Sequence, residues 1–151
     1  MVSGVAESWV RLPAEALLGG ADVLLDEPRS RLEWVALVRR GIPSGAVDSL
    51  AASTRLTQAE LAAALGIPAR TLVRRKREGS LSSEESGRLL RLARVVERAT
   101  EVFEDLDASL DWLKSENAAL SGVTPLSLLD TDIGAETVLD TLGRIEHGVF
   151  G

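Results

Sequence analysis

The segment TQAELAAALGIPARTLVRRKR, residues 57–77, carries the side chains best suited to chemistry in this chain. Five of the eight residues from Arg70 to Arg77 are cationic. A guanidinium is a planar fork of donors that matches phosphate oxygens and the O6/N7 edge of guanine. A short alanine-rich helix that stops at a glycine, followed by a cationic helix, is the pattern of a helix-turn-helix docked on DNA. Arg70 and Arg74 stand four apart and share the outer face of the second helix with Thr71 and, at its edge, Arg75. Leu72 and Val73 are expected to point inward. Lys76 falls on the inner side, where its stem would snorkel. The bland alternative is a solvated basic face on a helical hairpin.

Other candidates for chemistry are weaker. His147 is the only histidine and there is no cysteine, so thiolate metal sites and disulfides are excluded. Asp130, Asp132 and Glu136 lack the glycine and the distal glutamate of a calcium loop. Their position at the start of a helix explains them through the helix dipole. No phosphate-binding glycine loop occurs, and no catalytic residue, metal or cofactor is expected. The arginines at 88, 91, 94 and 98 read as a solvated helix face, with contact to a DNA backbone or to an acidic partner as the alternative.

Charge is unevenly placed. The formal net charge is −6. Residues 55–100 hold ten basic and five acidic groups, whereas residues 101–151 hold two basic and eleven acidic ones. This asymmetry suggests a polyanion as partner for the middle of the chain and a neutral or basic partner for its end. No apolar run approaches a membrane span and no signal peptide opens the chain, so a cytoplasmic protein with no membrane contact is expected.

The elements that must position these residues are helices. At 45% apolar but 3% aromatic, the core has to be Leu, Val and Ala, which favours an all-α fold. Residues 1–30 give little signal, with Pro13, Gly19-Gly20 and Pro28. RLEWVALVRR, 31–40, predicts a helix burying Leu32, Val35 and Leu37, and residues 46–54 predict a short one. Thr57 with Glu60, and Ser82 with Glu85, are capping boxes that open the first helix of the pair and a long helix after it. Gly66 ends the former, and Ile67 plugs the angle between the helices. Leu89, Leu92, Val96, Ala99 and Phe103 form the stripe of the long helix. Val95 and Val102 fall outside it and predict a second contact, for instance with another subunit. Thr124-Pro125 caps a short helix. A last helix starts at Asp130 or Thr131, turns Val138, Leu139, Leu142 and Ile145 inward, and ends at Gly148. The apolar tail Val149-Phe150-Gly151 is expected to be buried, in its own core or in a partner.

QAELA at 58–62 resembles the first helix of phage-repressor (Cro/C1) domains. That family uses a Gln matching Gln58 for phosphate and base-reading positions that fall on Ala69, Arg70 and Arg74. It places an apolar residue where Arg75 stands, so a rotated helix with Val73 substituting is expected. From about Gly41 the whole chain is similar to Xre/MbcA/ParS-type antitoxins. The motifs are GIPSGAVDSL, GIPARTLVRRKREGSLSSEESGRLLRLARV, Trp112-Leu113, N-x-x-L at 117–120, G-x-TPL-x-LLDT at 122–131, Gly134 and L-x-RIEHGV at 142–149.

The resemblance implies an N-terminal extension over 1–40, a DNA-binding region over 41–103 that includes the long helix, and a small helical toxin-binding domain over 104–151. It implies operator DNA, a homodimer and a RES-domain, NAD-depleting toxin as partners. Gln58, Arg70, Thr71, Arg74 and Arg75 become the DNA-binding candidates. Arg144, Glu146, His147, Val149 and Phe150 become the toxin-binding candidates. An acidic C-terminal segment suits steering towards a basic NAD pocket. Three positions depart from the family: Gly87 in place of an acid, Glu104 in place of a glycine, and Ser115-Glu116 in place of a proline before Asn117. Two rival functions use the same residues. One is a transcription factor with no toxin; the other is an adaptor whose basic helix binds acidic protein.

Overall fold

The structure is a computed structural model that describes residues 13–148. Nine α-helices and two 3-10 turns, with no strand, make up the described residues. The helices are α1 (Ala14–Leu17), α2 (Gly20–Leu24), α3 (Arg31–Arg40), α4 (Gly45–Thr54), α5 (Gln58–Leu65), α6 (Ala69–Glu78), α7 (Ser83–Phe103), α8 (Leu106–Lys114) and α9 (Asp132–Glu146).

Local chemistry sets the helix boundaries. Thr57 Oγ accepts from Glu60 N at 3.0 Å, and the Glu60 carboxylate accepts from Thr57 N at 2.9 Å. Ser82 and Glu85 repeat the exchange at 3.1 and 2.8 Å. Each box satisfies two of the amides that open a helix. Gly66 adopts φ +68° and closes α5. Glu104 closes α7 at φ +56°, a left-handed conformation in which a glycine would be relaxed.

α7 is the axle. α1, α3, α5, α8 and α9 all pack on it. Leu89, Leu92, Ala93, Val95, Val96 and Ala99 are fully buried. Val95 is therefore core, not a subunit contact, and Val102 is packed against the same core. A helix wrapped on several sides uses its second apolar face inside its own chain.

The α3 expectation is corrected. Trp34 and Leu37 are buried, whereas Leu32 is 80% and Val35 41% exposed. On a 100° wheel Trp34, Leu37 and Val38 share one side and Leu32 lies opposite, so only one of the two possible apolar faces meets α7. Residues 13–30 also contribute more than their sequence suggests. Ala14, Leu17, Leu18 and Leu24 are buried in the cluster that extends to Leu142, and α1 packs on both α4 and α7.

The C-terminal elements are held by caps. Asn117 opens the turn Ala118–Leu120, Thr124 opens the turn Pro125–Leu128, and Thr131 Oγ accepts from Gly134 N at 3.0 Å to open α9. α9 buries Ala135, Val138, Thr141 and Leu142, with Leu139 and Ile145 partly covered. Phe103 stacks at a tilt on Trp112 with ring centroids 5.8 Å apart. The tail Val149-Phe150-Gly151 lies outside the described residues.

Candidate nucleic-acid interface and partner-binding end

α6 stands on α5 through a tight turn. Ile67 N donates to Ala62 O at 3.0 Å, and Ile67 packs against the core between the helices. Leu72 is the buried residue of α6. Arg70, Val73, Arg74 and Arg77 are exposed, as is Gln58 at the start of α5, while Thr71 is half-buried. Arg74 makes a loose 3.7 Å contact with Glu78, and Arg70 and Arg77 have no ion pair among the described residues. The exposed cationic face is therefore Arg70, Arg74 and Arg77, spaced four and three residues apart, with Arg74 held only loosely by Glu78.

Two expectations change here. Val73 is 53% exposed and belongs to the outer face. Arg75 turns the other way. Its Nε donates to Glu85 Oε1 at 2.7 Å, its Nη2 to Glu85 Oε2 at 3.1 Å and its Nη1 to Glu78 Oε1 at 2.9 Å. Lys76 reaches inward to Asp48 at 2.8 Å. Arg75 and Lys76 follow Leu72 by three and four residues, so all three share the covered side. The helix is not rotated: the apolar residue of repressor domains is replaced by a fork-to-fork ion pair on a buried glutamate. The same spacing rule identifies Arg77, which lies seven residues after Arg70 and completes its face.

Glu85 holds this arrangement together. Burial alone pushes its carboxyl up. The side-chain bonds from Arg75 and the bonds with Ser82 outweigh burial and hold it below the ordinary carboxylate range. Arg75 is in turn held above its ordinary value by Glu85 and Glu78. A lowered folded pKa stabilises the fold above the unfolded value, near 4.5, and that contribution disappears as pH falls through the folded value. Denaturant midpoints should therefore fall with acid below about pH 5, and Glu85→Gln should flatten that decline while lowering stability at pH 7. An unchanged acid profile in the variant would show that Glu85 is not the linked group.

Most arginines of α7 are internal ties. Arg91 donates twice to Leu129 O at 3.1 and 3.2 Å and pairs with Asp132. Arg88 reaches Leu65 O at 3.3 Å. Arg98 forks onto Glu146 at 2.5 and 3.1 Å. Arg94 is exposed. The solvated-face reading thus holds for Arg94 alone, because the acidic α9 folds back over Arg91 and Arg98 and the end of α5 engages Arg88.

At the far end of α9, Arg144 and His147 are exposed, and Glu146 is exposed but engaged by Arg98. The Arg98 hydrogen bonds hold the Glu146 carboxyl below the ordinary range. Val149 and Phe150 lie outside the described residues. No helix among the described residues is long and apolar enough to cross a membrane.

Known proteins match this arrangement. Residues 33–94 match the antitoxin Xre-like helix-turn-helix domain, and residues 98–148 match the antitoxin Xre/MbcA/ParS C-terminal toxin-binding domain. The antitoxin Xre of Yersinia enterocolitica is 36% identical over 115 residues, 75% of this chain and 78% of that protein. The chain belongs to the Xre antitoxin family. The antitoxin Xre of Photorhabdus laumondii is 34% identical over 76% of this chain and 78% of its own. A Sphingobium protein named Prs ADP-ribosylating antitoxin is 28% identical over 80% of this chain and 82% of its own. The boundary between the two matched regions, at 94–98, falls inside α7. The central helix of this antitoxin therefore belongs to both halves, and the Arg98–Glu146 and Arg91–Asp132 pairs tie the second half to it.

Proposed function

We propose that this antitoxin neutralises a RES-type, NAD-degrading toxin in the cytoplasm by occluding its active site, and that a homodimer represses its own operon. It acts by binding, not by catalysis. The observation that carries the reading is the separation of two surfaces. The exposed arginines Arg70, Arg74 and Arg77 share one face of α6 within the helix-turn-helix match, while the acidic toxin-binding match ends in the exposed Arg144 of α9 and His147 that caps it. An ADP-ribosylating relative adds chemical support, because an ADP-ribosyl group is drawn from NAD. A dimer would place two α6 helices in successive major grooves of a palindromic operator.

Arg144, Glu146, His147, Val149 and Phe150 are the residues assigned to toxin contact. Phe150 would contribute roughly 1.5–3 kcal/mol if fully buried in the toxin. Deleting residues 147–151 should release NAD consumption by the co-expressed toxin while leaving DNA binding intact. Full neutralisation by the shortened chain would refute the role of this end.

A further inference from the structure

The end of α3 is bonded to the end of α6. Leu81 N donates to Ile42 O at 2.9 Å and Ser44 N to Gly79 O at 3.0 Å, with Pro43 and Ser80 in an antiparallel bridge. Gly41 has φ +100°, and a Cβ there would stand 2.5 Å from Leu81 O. Backbone contact this close leaves no play between the two helix ends. The two residues before this clasp are Arg39 and Arg40, the last turn of α3. Both are exposed, and neither has an ion pair among the described residues. The acids of this corner are already occupied: Glu78 by Arg75 and Arg74, Glu85 by Arg75, and Asp48 by Lys76. Arg77, three residues before Ser80, points out on the same side of the chain as the free face of α6.

We propose that Arg39 and Arg40 form a phosphate-binding wing of the DNA interface, clasped beside the recognition helix by the pairing of residues 42–44 with 79–81. The inference rests on the DNA-binding reading of α6 and extends the interface into the segment before the helix-turn-helix core. Two unpaired guanidinium groups at a fixed distance from the end of a base-reading helix suit the DNA backbone, which is continuous past the bases that α6 contacts. The competing role is confined to the fold: cations in the last turn stabilise the helix dipole.

The test uses the full chain and two duplexes, one from the region upstream of its own coding sequence and one of random sequence and equal length. Affinities are measured across a salt series for wild type, for the Arg39→Gln/Arg40→Gln double variant and for the Arg39→Lys/Arg40→Lys double variant. A phosphate wing predicts that the glutamine pair weakens both duplexes alike, about three- to tenfold at physiological salt, and lowers the salt slope by about one to two. The lysine pair should keep the slope, since a point charge serves a phosphate. An unchanged slope in the glutamine pair, with only the melting temperature lowered, overturns the wing and leaves α6 as the reader. Failure of the wild type to bind either duplex, or binding insensitive to Arg70→Ala, overturns the DNA-binding reading and the wing with it.

Discussion

Replacing Arg70 and Arg74 together with alanine is expected to remove operator binding while leaving the fold and toxin neutralisation intact. Both side chains are exposed on α6, and neither ties the helix to the core. A bidentate arginine–guanine pair contributes roughly 1–3 kcal/mol of discrimination, so losing two should cost on the order of a hundredfold or more in affinity. The two residues are one turn apart, so their effects need not add. Fluorescence anisotropy with the upstream duplex measures the loss. Promoter binding that survives the double change would mean that α6 is not the recognition helix. Arg75→Ala supplies the contrast. It removes the partner of the buried Glu85 carboxylate, so its effect should appear first in thermal stability. Gln58 and Thr71 remain candidates at the edge of this face, one exposed and one half-buried.

The second large effect is expected at Gly134. It sits in the first turn of α9 with an ordinary helical backbone, where alanine would be favoured over glycine by about 1 kcal/mol on propensity. Packing reverses that sign. A Cβ on Gly134 would lie 1.8 Å from Leu128 O, 2.8 Å from Leu128 C and 2.9 Å from Thr131 Oγ1. Two of these are backbone atoms, so no side-chain rotation relieves the overlap. The start of α9 must move away from the turn Pro125–Leu128, which loosens the Thr131 cap and displaces the Leu129 carbonyl that Arg91 holds. A cost of about 2–4 kcal/mol in urea unfolding is expected from overpacking plus cap loss. Toxin neutralisation should weaken at elevated temperature before DNA binding does. A Gly134→Ala protein as stable as wild type would contradict the close approach.

Much of the local structure follows from short-range chemistry. Thr57 with Glu60 and Ser82 with Glu85 satisfy helix amides within three residues, so their sequence spacing is enough to place α5 and α7. Gly66 ends α5 because only a residue tolerant of positive φ turns the chain there. Segments with weak periodicity were less legible. Leu17 and Leu24 lie in helices of four and five residues, too short to show a face before a partner is present, and Leu18 lies in the turn between them. Leu32 and Val35 formed as plausible a stripe as Trp34 and Leu37 until α7 covered one of them.

What the sequence alone determined about this protein is its class: helices with defined caps, a basic helix after a glycine turn, an acidic last third, and motifs shared with Xre antitoxins. The tertiary structure decided which charges are available to partners. Arg75, Arg91 and Arg98 look as free as Arg70 in the sequence, yet Glu85, Asp132 and Glu146 claim them. Helical periodicity gives the direction of a side chain about its own axis. Which carboxylate waits in that direction depends on chain segments up to 48 residues away, and these meet only when the helices pack around α7.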